Sequence, residues 1–250
     1  MFDGTNGSGK STLKNVLDKK LLGVYLNPDE IEESVRAERF LNFSDYGLTV
    51  VAHDVLPFFQ NSTLLKSHGL DSDMQLLRLD GNRLLVSEIR LNSYFASVAA
   101  DFLRQELLDA GRSFTFETVM SHPRKVQFLA TARKAGFRTY LYYIATDDPT
   151  TNISRVQNRV ALGGHDVPEN KIESRYFRSL NLLMDAIRET NRAYVFDNSG
   201  DSGPANKTWL AEITDGKLLE LRVDRIPAWF KKYVLDKARA PSQSTKSSPE

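Results

Sequence analysis

The stretch Gly4-Thr5-Asn6-Gly7-Ser8-Gly9-Lys10-Ser11-Thr12 decides the fold of this chain. Its glycines allow the backbone to turn tightly and to aim several N–H groups at one anion. Lys10 can reach the β- and γ-phosphates of a nucleoside triphosphate, and the Ser11 hydroxyl can ligate Mg²⁺. A helix that begins near Lys10 adds the positive end of its dipole. The stretch therefore predicts a triphosphate-binding loop at a strand-to-helix junction.

Apolar spacing after the loop predicts the first helix. Leu13, Val16 and Leu17 recur at helical intervals, so we expect this helix to run to Lys20, before Gly23.

A second strand and helix follow. Val24-Tyr25-Leu26 is a short apolar strand, and Asn27, Pro28 and Glu30 form a strong helix-start signal. We expect the second helix to reach about Phe40.

The rest of the chain continues to alternate. We predict one long amphipathic helix, or a kinked pair, from Asn82 to Ala110. Strands are predicted at 114–116, 139–145 and 193–196, helices at 123–134, 149–161, 168–190 and 227–239, and a hairpin at 209–221. This order predicts an α/β fold, with a mostly parallel, doubly wound sheet and helices on both faces.

Length and composition bound the function. The 250 residues are 41% hydrophobic and 26% charged, which is typical of a globular domain. We expect one domain over 1–240, with 42–81 as an insertion-like segment of short helices and loops, and a disordered tail at 241–250.

A net charge of +1 gives no reason to expect nucleic acid as a partner. The chain has no cysteine for disulfides or thiolate metal sites, and no apolar stretch of membrane-spanning length or signal-peptide pattern, so we expect a cytoplasmic protein.

Two carboxylates follow predicted strands. In parallel sheets ligands bind outside the carboxyl ends of the strands, and this rule selects Asp29 and Glu117 together with the loop. Near a bound triphosphate, such carboxylates could act as a base, an acceptor ligand or an outer Mg²⁺ partner. Each could equally stabilise a helix N-terminus by its charge alone.

Arginines flank a Gly-Gly break. Arg155 and Arg159 are four residues apart, and Arg175 and Arg178 lie beyond Gly163-Gly164. This pattern suits a lid that brings positive charge to a transferring phosphoryl group, although an exposed helix face could also carry these residues.

The histidines show no comparable pattern. We interpret His165 as a turn residue rather than a phosphate contact. His53, His68 and His122 lack metal-ligand spacing and are interpreted as structural or surface residues.

Several stretches together resemble a known family. They are Tyr25-Leu26-Asn27-Pro28-Asp29-Glu30-Ile31, Phe116-Glu117-Thr118, Gly163-Gly164-His165-Asp166-Val167-Pro168, the run from Ile172 to Leu182, and Asp197-Asn198-Ser199. In this order, from the phosphate loop to about Gly200, they resemble zeta-toxin-type kinases. The resemblance implies a P-loop kinase fold that uses ATP and Mg²⁺. It also implies a nucleotide-sugar substrate, because relatives phosphorylate the 3′-hydroxyl of UDP-N-acetylglucosamine, and a small antitoxin protein as a partner.

The resemblance also implies roles for individual residues. Lys10 and Ser11 would hold the triphosphate and Mg²⁺, with Ser11 as the metal ligand, and Asp29 would accept the proton of the sugar hydroxyl. The acceptor would contact Asp29, Glu117 and Thr118. Catalysis is assigned to Asp29, Lys10, Arg159 and Arg175, and the nucleotide to Gly4, Thr5, Asn6, Gly7, Ser8, Gly9, Lys10, Ser11, Thr12, Arg155 and Arg178. The family's acceptor motif often has a second threonine where this chain has Val119, so the kinase chemistry is better defined than the acceptor.

Two alternatives stay open at the level of sequence. The chain could phosphorylate another hydroxyl, such as an amino sugar or a polynucleotide end, and the latter would need a basic stripe. It could instead be a nucleotide-binding regulator or slow ATPase, which would turn over ATP without any added hydroxyl substrate.

Overall fold

A computed structural model describes residues 1–14, 17–164, 166–200 and 207–239. The chain forms two compact units: residues 1–15 with 119–250, called the loop unit, and residues 16–118, called the middle unit. A single domain over 1–240 stays a prediction. The predictions for Val16, His165 and the tail at 241–250 lie outside the described residues.

The elements follow in chain order. The strands are β1 (Phe2–Asp3), β2 (Val24–Leu26), β3 (Phe40–Asn42), β4 (Arg78–Asp80), β5 (Arg83–Leu85), β6 (Phe114–Thr118), β7 (Tyr140–Ala145), β8 (Arg192–Asp197), β9 (Thr208–Thr214) and β10 (Leu218–Leu221). The helices are α1 (Lys10–Lys14), α2 (Pro28–Glu38), α3 (Ala52–Gln60), α4 (Thr63–Ser67), α5 (Asp71–Met74), α6 (Ser93–Asp109), α7 (Arg124–Lys134), α8 (Pro149–Ala161), α9 (Glu169–Arg188), α10 (Ala228–Phe230) and α11 (Asp236–Arg239). Short 3₁₀ turns lie at Lys19–Leu21 and Phe43–Tyr46, and a π-helical turn at Lys231–Leu235 joins α10 to α11.

The loop unit is built on a mostly parallel sheet, as predicted. Its strands lie in the order β10-β9-β8-β7-β1, and β1, β7 and β8 run parallel. Because these three strands point the same way, their carboxyl ends share one edge of the sheet. The loop of Gly4–Thr12 leaves β1 at that edge, and α8 follows β7 there.

The hairpin of β9 and β10 is also confirmed. The two strands are antiparallel, and the turn residues Asp215 and Gly216 have φ values of 49° and 65°. Lys217 N donates a hydrogen bond to Thr214 O at 3.0 Å, so Asp215 and Gly216 are the central residues of this turn, and an Asp-Gly pair favours positive φ at both positions.

The middle unit contains a parallel pair and a small antiparallel sheet. Strands β2 and β6 are parallel, with Leu26 opposite Phe116, and β3, β5 and β4 form the antiparallel sheet. Helix α2 begins where the sequence predicts, since the side chain of Asn27 accepts a hydrogen bond from Asp29 N. It ends at Glu38, two residues before the predicted Phe40.

The predicted length of the first helix is wrong. The structure describes helix α1 over Lys10–Lys14, and the next described residues, Leu17–Lys20, are not α-helical. Asp18 Oδ1 accepts a hydrogen bond from Lys20 N at 2.9 Å, and Asp18 O accepts one from Leu21 N at 2.9 Å. A side-chain acceptor that captures a nearby backbone N–H competes with helix propagation.

The helix predicted from Asn82 to Ala110 is wrong in its first part. Only Ser93–Asp109 is helical, and Leu84 belongs to β5. Leu84 pairs with Leu41 on one side and Leu79 on the other, so its spacing to later apolar residues was coincidental. Asn92 provides the true start, because its Oδ1 accepts hydrogen bonds from the next backbone N–H groups.

The segment 42–81 contains the short helices expected there, but its strand β4 was missed. Asp80 and Gly81, with φ +54° at Gly81, form the turn between β4 and β5.

The aromatic core of the middle unit packs against α6. Phe102 contacts Phe43 with ring centroids 5.5 Å apart, and Phe95 contacts Phe59 with ring centroids 5.2 Å apart. Among the described residues no helix is long and apolar enough to cross a membrane.

Candidate functional site

The backbone of the phosphate loop is packed tightly enough to require glycine. Gly7 has φ 77°, and a Cβ there would lie 2.6 Å from Asn152 O. A Cβ on Gly4 would lie 2.4 Å from Ile144 O. The loop therefore rests directly on the backbone of β7 and α8, and a side chain at either position would push it away.

The loop lysine lies over the loop itself. Lys10 Nζ donates hydrogen bonds to Gly4 O at 2.7 Å and Thr5 O at 3.1 Å. Its ammonium group is therefore at the start of the loop, where the motif requires the cation that meets the terminal phosphates. Ser11 is exposed at the beginning of α1.

Two asparagines that were not among the predicted site residues hold the loop in place. Asn152, fully buried on α8, donates from Nδ2 to Asn6 O at 2.7 Å and to Thr5 Oγ1. Asn198, just after β8, donates to Ser8 O at 2.8 Å. The sequence offered one signal for Asn152: it is four residues before the buried Val156 and therefore shares its helix face. A polar side chain on a buried face needs hydrogen-bond partners.

A buried carboxylate immediately precedes the loop. Asp3 is inaccessible to solvent, and its oxygens accept hydrogen bonds from Met120 N at 2.7 Å and Ser179 Oγ at 3.3 Å. Burial raises the pKa of Asp3 from 3.8 to about 6, although the nearby positive charge of Lys10 and these donors oppose the shift. Because Ser179 belongs to α9, its hydrogen bond to Asp3 connects the start of the loop to that helix. Ser179 Oγ also lies 3.1 Å from the hydroxyl of Tyr143.

The four predicted arginines have different surroundings. Arg175 Nη1 donates to Asn6 Oδ1 of the loop at 3.2 Å, whereas Arg155 Nη2 donates to Gly200 O at 3.0 Å. Arg178 donates to Ser174 O and Ser174 Oγ on its own helix. Arg159 lies at the end of α8, where its side chain packs against Gly164. Arg175 is thus bonded directly to a residue of the phosphate loop.

The predicted acceptor residues lie in the middle unit. Glu117 is buried in β6 and accepts a hydrogen bond from the hydroxyl of Tyr25 in β2. Burial and this bond to Glu117 both raise the pKa of Tyr25, which keeps the phenol protonated. Asp29 is exposed in the first turn of α2, and Thr118, the last residue of β6, is half-buried. Tyr25 was not among the predicted site residues.

The loop fits a nucleoside triphosphate with Mg²⁺. Its glycine-lined cradle leaves no room for side chains, its lysine is in place, and Ser11 presents a hydroxyl at a helix start. Among the described residues, no group of three or more His, Cys, Asp or Glu is arranged to hold a metal ion. Ser11 is the loop side chain that would ligate Mg²⁺ together with the phosphates, because Mg²⁺ usually keeps several waters and few protein ligands.

The zeta toxin family matches residues 90–203 of the chain. Over this segment the chain is similar to the zeta toxin family. The zeta toxin segment includes Glu117, Asn152, Arg175 and Asn198, while the phosphate loop precedes it. The α/β architecture with a mostly parallel sheet agrees with the fold class that the sequence predicts.

One relative and one set of solved structures are also similar. A Haemophilus influenzae protein described as uncharacterized is 33% identical over 63 residues, which make up 25% of this chain and 45% of that protein. Structures of the AvrRxo1-ORF1:AvrRxo1-ORF2 complex with sulphate ions and with ATP match with TM-scores of 0.47 and 0.46 at 14% identity. They align with 97% and 99% of this chain and with 65% of the matched chain. The chain thus spans less than two thirds of the length of each protein.

Proposed function

We propose that this chain is an ATP- and Mg²⁺-dependent kinase that phosphorylates a hydroxyl of a nucleotide sugar, with UDP-N-acetylglucosamine as the leading substrate. The observation that carries the proposal is the loop of Gly4–Thr12, held by Asn152 and Asn198 with the Lys10 ammonium over its first carbonyls. The zeta toxin match supports phosphoryl transfer as the chemistry.

The nucleotide would be held by the loop. Backbone N–H groups of the loop would bind the phosphates, Lys10 would meet the β- and γ-phosphates, and Ser11 would ligate Mg²⁺. When bound, Mg²⁺ neutralises charge that develops between the β- and γ-phosphates.

Positive charge from two helices would complete the nucleotide site. Arg175, already bonded to Asn6, would stabilise the charge that develops on the transferring group. Arg159 would assist it, and Arg155 and Arg178 would contact the nucleotide. Gly163-Gly164, between α8 and α9, would act as the hinge of the lid.

The acceptor would be held by the middle unit. We propose that Asp29 takes the proton of the attacking hydroxyl, a role for which its exposed position in α2 leaves it accessible. Glu117 and Thr118 would hydrogen-bond the sugar, with Tyr25 orienting Glu117. We further propose a cytoplasmic location, and a small antitoxin protein as a partner, which the resemblance to zeta-toxin-type kinases supports.

The loop is tested by Lys10→Ala. Loss of the cation that faces the terminal phosphates should weaken MgATP binding and lower transfer at least roughly 10²-fold. Calorimetric titration of MgATP measures the first quantity, and mass spectrometry of phosphorylated UDP-N-acetylglucosamine measures the second. Lys217→Ala, an exposed lysine of the β9–β10 turn, is the control. Equal affinity and turnover in Lys10→Ala and wild type would remove the loop as the active centre.

A further inference from the structure

A second lysine reaches the phosphate loop. Lys207, just before β9, donates a hydrogen bond from Nζ to Thr12 Oγ1, and Thr12 Oγ1 in turn donates to Gly9 O at 2.8 Å. The Cε atom of Lys207 would lie 3.2 Å from a Cβ on Gly9. The lysine therefore lies directly over the last residues of the loop.

Lys207 shares its surroundings with another cation. Burial lowers the pKa of Lys207, and the positive charge of Arg155 lowers it further. Arg155 Nη2 donates to Gly200 O, while its Nη1 atom is buried and makes no hydrogen bond. Within the part of the chain that the structure describes, no carboxylate forms an ion pair with either residue.

Two neighbouring, partly buried cations without a counter-charge destabilise each other and lose hydration. An anion placed between the two cations and the loop would offset both their mutual repulsion and their lost hydration. Such an anion would also accept a hydrogen bond from the buried Nη1 atom of Arg155. The position beside loop glycines and a helix start favours a phosphate group in particular.

The two lysines occupy opposite ends of the loop. Lys10 Nζ is bonded to Gly4 O and Thr5 O at its start, whereas Lys207 Nζ is bonded to Thr12 at its end. Lys10 in this motif serves the β- and γ-phosphates, so a cation at the other end faces the part of the triphosphate nearest the nucleoside.

We propose that Lys207 is a second phosphate-binding lysine of this chain, and that it contacts the α-phosphate of the bound nucleotide. The proposal rests on the proposed function, because it assumes that the loop binds a nucleotide. Lys207 falls outside both the nine-residue loop motif and the zeta toxin segment, so neither assigns it a role.

The test compares nucleotides that differ only in their phosphates. Wild type, Lys207→Met, Lys207→Arg and the control Lys217→Met are titrated by calorimetry with MgATP, AMP and adenosine. Because a charge-assisted contact is lost, Lys207→Met should bind MgATP and AMP roughly tenfold more weakly. Adenosine affinity should not change, Lys207→Arg should recover most of the loss, and Lys217→Met should match wild type. Lys207→Gln repeats the comparison with a polar side chain if the methionine variant unfolds.

Other outcomes overturn the inference. Wild-type affinity of Lys207→Met for both MgATP and AMP would mean that the lysine only caps Thr12. A loss of adenosine affinity equal to the loss of AMP affinity would mean that the effect does not involve a phosphate. In both cases a loss of MgATP binding in Lys10→Ala would leave the proposed function standing. If Lys10→Ala and wild type bind MgATP equally, the proposed function fails as well.

Discussion

The phosphate loop and the Tyr25–Glu117 pair differ in how their chemistry is distributed along the chain. The loop places its lysine, its hydroxyl and its glycines within nine consecutive residues, Gly4–Thr12. Tyr25 and Glu117 are 92 positions apart and meet only because β2 and β6 pair in parallel. A local motif defines its ligand class from sequence, whereas a site assembled by strand pairing defines a pocket only after folding. The nucleotide is therefore better defined than the acceptor.

The largest expected effect is that of removing the proposed base, Asp29, which belongs to the same unit as Tyr25 and Glu117. Asp29→Asn should leave MgATP affinity nearly intact and lower transfer about 10²-fold or more, because the variant cannot accept a proton. Steady-state turnover and calorimetric ATP affinity measure the two effects. Glu33→Gln, an exposed acid on the same helix, is the control. If Asp29 acts only through its charge at the start of α2, the variant would lose a little stability and keep its activity.

The second prediction concerns the base of the loop. The folded pKa of Asp3, about 6, exceeds its unfolded value of 3.8, so the folded state binds this proton more tightly. The contribution of Asp3 to the free energy of unfolding is therefore fully present below pH 4 and is lost as the pH rises through 6, by about 2 to 3 kcal/mol. Asp3→Asn should lack this loss.

Denaturant titrations between pH 4 and 7 check the Asp3 prediction, with the exposed Asp224→Asn as the control. As the pH rises, wild type should lose stability relative to Asp3→Asn, so the free energy of unfolding of the variant minus that of wild type should increase. A difference that stays constant across this range would show that Asp3 titrates at its ordinary pKa.

The third prediction concerns the support of the loop. Asn152→Ala removes the donor to Asn6 O and the acceptor for Thr146 Oγ1, and both groups are then left without this partner. The cost should be about 1 to 2 kcal/mol in the free energy of unfolding, with weaker MgATP binding. Asn158→Ala, an exposed residue on the same helix, should change neither quantity. Unchanged ATP affinity in a destabilised Asn152→Ala would show that the loop keeps its shape without this support.

The smallest expected effect concerns the acceptor. A pocket built from buried polar groups discriminates against a substrate that lacks one partner, so UDP-N-acetylglucosamine should have a higher kcat/KM than UDP-glucose. Glu117→Gln should narrow this preference roughly tenfold, since it replaces a charged carboxylate, the acceptor of the Tyr25 hydrogen bond, by a neutral amide. The exposed Glu88→Gln in the same unit is the control. An unchanged preference in Glu117→Gln would exclude Glu117 from sugar recognition.

Much of the fold was predictable because its signals are local. The phosphate loop, the cap at Asn27, the hairpin at Asp215-Gly216 and the helix starting at Pro149 each depend on a few adjacent residues. The errors arose where distant pairing decides. Leu84 fits a helical period in sequence, but it lies between Leu41 and Leu79 in a sheet.

The candidate site follows the same rule. The loop residues were found by their spacing, whereas Asn152, Asn198 and Lys207 contact the loop from positions far along the chain. Asp3 adjoins the loop, but its burial and its bond to Ser179 appear only in the folded structure. The assigned roles of Asp29, Glu117 and the arginines stay predictions.

The most direct measurement of the central claim is a transfer assay. Wild type and Lys10→Ala are incubated with MgATP and a panel of nucleotide sugars, and the products are identified by mass spectrometry. The kinase proposal predicts UDP-N-acetylglucosamine carrying one added phosphoryl group, with ADP formed in equal amount, and no such product from Lys10→Ala. Tight MgATP binding and ADP formation by wild type, with no sugar in the panel phosphorylated, would contradict it and favour a nucleotide-binding regulator.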